Sequence, residues 1–159
     1  LAFYYLRKRP AMHQTDFIDV TNEASEKAHG YRSTKSTLTG DLDASYEGNA
    51  STTLVRDNGR SHSKGEVKFE IAINPKNAGV MLRRRLDQNT GQQSAEVYVD
   101  YHLVGTWYHA DQNPFLRWFD EDYEIPESIT KGKSRLSIKL KVQNGFNDFR
   151  YEAFSYELK

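Results

Sequence analysis

The sequence predicts an all-β fold: a two-sheet antiparallel β-sandwich of jelly-roll type, with at most one or two short helices. Three observations predict it. Apolar residues recur at every second position in eight or nine short stretches, the period of a strand with one buried face. Turn-forming residues separate those stretches at Asn74-Pro75, Asn89-Thr-Gly91, Asn113-Pro114, Lys131-Gly132 and Asn144-Gly145. Helical signals are short and few. Regular short strands with almost no helix argue for a sandwich. The 159 residues exceed the roughly 100 that an immunoglobulin-type sandwich needs, which favours the jelly roll. The whole chain, residues 1–159, reads as a single domain.

The elements follow in order. Leu1–Leu6 is an apolar, aromatic run followed by Arg7-Lys-Arg9. A signal peptide has the reverse order, with charge first, so the run reads as a strand. It is either the free first strand of a complete protein or one cut from a longer chain. Asn22 is an N-cap for Glu23–His29, and Gly30 ends that helix within two turns. A pair of turns around Pro126–Thr130 is the second helical signal. Thr37–Leu42 alternates weakly. Thr52–Arg56 is expected to be a strand ending in a turn at Asp57-Asn-Gly59. In Glu66–Asn74, Val67, Phe69, Ile71 and Ile73 face one way. In Val80–Asp87, Val80, Leu82, Arg84 and Leu86 share a face, so one arginine points inward and needs a carboxylate there, with Asp87, Glu96 and Asp122 as candidates. Ala95–Val99, Leu103–His109, Arg135–Val142 and Phe149–Leu158 complete the set.

Composition removes several function classes. With no cysteine, thiolate metal sites, disulfides and a thiol nucleophile are excluded. Lys+Arg and Asp+Glu are both 22, so a strongly basic nucleic-acid surface is not expected. No apolar run reaches the roughly 18–20 residues of a membrane-spanning helix, so neither nucleic acid nor membrane is expected as a partner. The histidines at 13, 29, 62, 102 and 109 lack metal-ligand spacing, and Asp120-Glu-Asp122 lacks the glycine and downstream glutamate of an EF-hand. No metal or other cofactor is expected. The compartment stays open between a bacterial cytoplasm and export.

The densest polar and aromatic segment runs from Arg83 to Asp122. Sugar rings have apolar faces that stack on Trp or Tyr, and hydroxyls that need Asp, Asn or Arg partners. Trp107, Tyr108, His109, Asp111, Asn113 and Trp118, with Arg83 and Arg85 beside them, form that mixture and are the expected ligand-binding residues. The alternative for each indole is burial in the core. No catalytic residue is assigned. A weaker reading pairs Asp120 with Asp122: on one strand face their Cα atoms lie roughly 6.6–7 Å apart, a spacing that occurs in glycosidases.

The strings Phe17-Ile-Asp-Val20, Ala24-Ser-Glu-Lys-Ala-His-Gly-Tyr31, Leu82-Arg-Arg-Arg-Leu-Asp-Gln88, Ala95-Glu-Val-Tyr-Val-Asp100 and Val104-Gly-Thr-Trp-Tyr108 resemble a β-sandwich region of bacterial and fungal proteins, the DUF2961 group, classed with glycoside hydrolase family 172. The resemblance implies a jelly roll in a carbohydrate context. The family's acidic catalytic residues have no counterpart matched here. The expected function is a non-catalytic carbohydrate-binding or accessory module of a bacterial carbohydrate-active protein, its partner a glycan or an adjacent catalytic domain. The alternatives are an assembly domain, in which the edge strand Leu1–Leu6 joins another domain or a second copy, and a glycosidase using the paired carboxylates.

Overall fold

The structure, a computed structural model, describes residues 10–48 and 53–158. The expected strand at Leu1–Leu6 lies outside them. Among the described residues, twelve strands and two short helices follow in chain order: β1 (Met12–Asp19), α1 (Glu23–Ala28), β2 (Arg32–Ser33), β3 (Ser36–Ala44), β4 (Val55–His62), β5 (Glu66–Ala72), β6 (Val80–Asp87), β7 (Gln93–Val99), β8 (His102–His109), β9 (Trp118–Ile125), α2 (Glu127–Thr130), β10 (Arg135–Asn144), β11 (Phe146–Asp148) and β12 (Arg150–Tyr156). A four-stranded sheet has the order β1-β12-β6-β9, and a five-stranded sheet the order β2-β5-β10-β7-β8. Their paired strands run antiparallel. The fold is the expected jelly-roll β-sandwich.

The alternation explains the main core. Val67, Phe69 and Ile71 of β5, Leu136, Ile138 and Leu140 of β10, and Ala95, Val97 and Val99 of β7 are all buried. They meet Ile18, Leu82, Ile125, Tyr151 and Ala153 from the four-stranded sheet. Each large apolar side chain so buried contributes about 1.5–3 kcal/mol before entropy is counted. Asn22 caps α1 as its side chain accepts from Ser25 N–H at 3.0 Å, and Gly30 leaves the helix at φ +59°.

A third layer departs from the expected two. Strands β11, β4 and β3 form a separate three-stranded sheet. It covers part of the outer side of the four-stranded sheet through a second core of Ala44, Trp118 and Phe149, flanked by Leu42, Tyr46 and Val55. The Asp57-Asn-Gly59 turn is not formed; β4 runs straight through it. Gly59 has a different cause. A Cβ there would lie 2.2 Å from the Asp148 carbonyl oxygen and 2.7 Å from the Phe149 ring, so only glycine lets the layers approach this closely.

Buried polar groups join the layers. Asp148 is sealed and accepts from Tyr31 Oη at 2.9 Å and Tyr151 Oη at 2.6 Å, with His62 Nε2 at 2.8 Å. Burial alone would raise its pKa, but the His62 ring and the two hydroxyls outweigh that and hold it below the ordinary carboxylate range. Both tyrosines are pushed well above theirs, by burial first and then by Asp148. Arg84 points inward as alternation requires. Its Nη1 donates to Gln93 Oε1 at 2.9 Å and to the Asn147 carbonyl at 2.6 Å, and its guanidinium lies 3.8 Å from the Phe146 ring centre. Its nearest carboxylate is Glu121, at 3.6 Å. That corrects the expected partners: Asp87 and Asp122 are bound by Arg117 and Arg83, and Glu96 stands opposite Lys141.

Candidate functional site

The expected site residues do not form one site. Trp107 is 2% exposed and Trp118 is fully buried, so neither offers a ring face to a sugar. Alternation turns Trp107 into the main core, against Tyr123 and Tyr151. Trp118 sits on the opposite face, but the third layer covers it: its ring meets Phe149 edge-on and its Nε1 donates to the Val55 carbonyl at 2.9 Å. His109 is also buried, held between Glu121 Oε2 at 2.6 Å and Gln88 Oε1 at 3.2 Å. Tyr108 is exposed on the outer side of the five-stranded sheet. Asp111 is exposed in the β8–β9 loop. Asn113 organises that loop, accepting from Phe115 and Leu116 N–H and donating to Glu47 at 3.1 Å.

Arg83 and Arg85 lie on the outer side of the four-stranded sheet, in a groove of about 610 Å³ with Tyr46, Glu47, Phe119 and Asp120. Its charges are already matched. Arg83 grips Asp122 at two points, 2.8 and 3.3 Å. Arg85 donates to Asp57 at 2.7 Å and to the Tyr46 hydroxyl, which donates to Asp120 at 3.0 Å. Burial first, then the Asp120 charge, pushes Tyr46 up to about 12. Asp120 and Asp122 therefore act here as partners of Tyr46 and Arg83.

The outer side of the five-stranded sheet is arranged differently. A groove of about 530 Å³ crosses it, lined by Arg32, Lys68, Glu70, Tyr101, Ser137 and Lys139. Tyr101 is 88% exposed and stands on the β7–β8 turn. Asp100 and Tyr101 have φ of +47° and +72°, the left-handed pair of a tight hairpin turn. Asp100 anchors that turn to β10: it accepts from Ser137 N–H at 2.9 Å and Lys133 Nζ at 2.7 Å. Burial would raise the Asp100 pKa; these two bonds outweigh it and lower it. The ring is thus carried on a fixed turn. Lys139 lies 4.2 Å from the Tyr98 ring centre.

Sequence reasoning missed Arg32, Lys68, Tyr101 and Lys139. Lys68 and Lys139 were legible as outward positions of β5 and β10. Their adjacency needs the register between strands distant in sequence, which periodicity does not supply. Among the described residues, no group of three His, Asp or Glu side chains could hold a metal ion.

Comparisons with known proteins agree with the architecture. The sequence matches no family model and no curated protein. By structure, it is similar to a family 35 carbohydrate binding module from an environmental isolate, with TM-score 0.54 and 15% identity over 91% of this chain and 98% of that one. It is also similar to a carbohydrate binding module of Cellvibrio mixtus lichenase 5A solved with cellotriose, with TM-score 0.55 and 9% identity over 92% of this chain and all of that one. A third likeness, with TM-score 0.52 and 8% identity over 87% of this chain, is to 29% of an exo-β-1,3-galactanase from Phanerochaete chrysosporium solved with β-1,3-galactotriose. At these identities the comparisons establish the fold: this chain has the jelly-roll sandwich that carbohydrate binding modules use.

Proposed function

We propose that this chain is a non-catalytic carbohydrate-binding module whose site is the outer side of the five-stranded sheet around Tyr101. The observation that carries the reading is an exposed ring on an anchored turn, beside a groove rich in donors. A sugar ring can lay its apolar face on Tyr101, while Ser137, Glu70 and the cations of the groove take its hydroxyls. The anchored turn lowers the ordering cost of binding. Tyr108 lies on the same side and extends the surface; Arg83, Arg85, Asp111 and Asn113 lie off it. The likeness in fold to a carbohydrate binding module solved with cellotriose supports the reading. The strings resembling the DUF2961 group would add a neighbouring glycoside hydrolase, which the module would hold on its polymer.

Affinity electrophoresis across a panel of neutral and acidic polysaccharides tests this. The expected result is retardation by at least one polymer, weakened about tenfold by Tyr101→Ala with the melting temperature unchanged. Retardation by none of them, with the fold intact, overturns the function. Full retention by the Tyr101→Ala protein overturns the site.

A further inference from the structure

The register of the five-stranded sheet places like charges side by side. In one cross-strand row, Glu66 stands opposite Lys141 and Lys141 opposite Glu96, so the signs alternate. In the next outward-facing row Arg32 stands opposite Lys68, Lys68 opposite Lys139, and Lys139 opposite Tyr98. Directly opposed like charges destabilise a sheet, so this row is held at a cost its neighbour avoids. With strands about 4.8 Å apart, the three cations span about 10 Å. Lys68 reaches only a half-buried Glu66, at 3.5 Å. Glu70 is bound by Arg135 at 2.9 Å. Among the described residues, no carboxylate lies within ion-pair distance of Arg32 or Lys139. The protein's formal net charge is zero, yet this line, which the Tyr101 groove follows, is locally positive.

We propose that the polymer bound on this face is acidic: a polysaccharide bearing carboxylates or sulfate esters, whose charges meet Arg32, Lys68 and Lys139 in turn. This rests on reading the face as a glycan site and adds the ligand's charge. The width of the row favours a single sugar chain over nucleic acid. Glu66 and Glu96 flank it on one side and Glu70 on the other, so a broad polyphosphate surface would meet carboxylates at both margins, whereas a narrow chain would not.

Isothermal titration calorimetry tests the inference with polygalacturonate, carboxyl-reduced polygalacturonate, dextran sulfate, dextran and oligothymidylate. One acidic polymer is expected to bind about tenfold or more tightly than its neutral counterpart, and to weaken as salt rises from about 50 to about 300 mM. The uronate and sulfate arms identify the acid group. Lys68→Gln and Lys139→Gln should each weaken binding about threefold, while Lys141→Gln in the alternating row leaves it unchanged. Equal affinity for a neutral polymer and its acidic form overturns the acid inference and leaves the glycan site standing. Binding to no polysaccharide overturns both. Acidic binding that Lys141→Gln weakens as much as Lys139→Gln, or tighter binding of oligothymidylate, overturns the role of the row.

Discussion

The two outer sides of the sandwich handle arginine and lysine in opposite ways. On the four-stranded sheet, Arg83, Arg85 and Arg117 each close on a carboxylate at 2.6–2.8 Å, and a third layer with its own core covers Trp118. On the five-stranded sheet, Arg32, Lys68 and Lys139 line up beside an exposed tyrosine; Lys68 reaches Glu66 at 3.5 Å, and Glu70 in the same groove is held by Arg135. The first arrangement satisfies its polar groups internally and so serves cohesion. The second leaves capacity unspent, which is what a binding surface needs. A dense polar–aromatic segment in a sequence therefore does not by itself distinguish a site from an interlayer seam.

Perturbing each side separately sharpens this contrast. The largest effect is expected for Trp118→Ala, which should cost about 3–5 kcal/mol in denaturant unfolding yet spare ligand affinity on the other side; lost affinity in the folded variant would break the division. The Asp148 cluster under the covered side should give the molecule two pH limits. Its carboxylate has a depressed folded value, so its contribution is present above the ordinary value of 3.8 and fades as pH falls below it. Tyr31 and Tyr151 have raised folded values, so their contribution is present below 10.0 and fades as pH climbs past it. Chemical denaturation across pH should show both slopes, and Asp148→Asn should flatten the acid one. Gly59→Ala should cost about 1–3 kcal/mol, as the new methyl group meets the Asp148 carbonyl. On the open side, Asp100→Ala should cost about 1–2 kcal/mol and weaken ligand binding by releasing the turn. Tyr101→Ala should change stability by less than about 0.5 kcal/mol and act on binding alone.

The strands with one clean apolar face were legible. Val80–Asp87 matches β6 residue for residue, and Glu66 and Arg135 open β5 and β10 as expected. β1 was not legible as a strand, because Met12–Asp19 buries only Ile18 fully and breaks register between Gln14 and Asp16. β4 was misread because Asp-Asn-Gly ordinarily signals a turn; here the glycine answers to a backbone 89 positions later, at Asp148. The same distance effect hid the site. Trp118 looked available because the layer that covers it comes from β3 and β4. Tyr101 looked like connection, since nothing local shows that Asp100 ties it to Ser137 and Lys133.

The placement of the two indoles decides what light can report about this molecule. Trp107 belongs to the main core and Trp118 to the second one, so emission follows the integrity of each and stays silent when a polymer arrives on the distant tyrosine face. Trp107→Phe and Trp118→Phe would each leave a single fluorophore. Their denaturation curves would coincide if the layers part together and separate if the outer sheet peels away first.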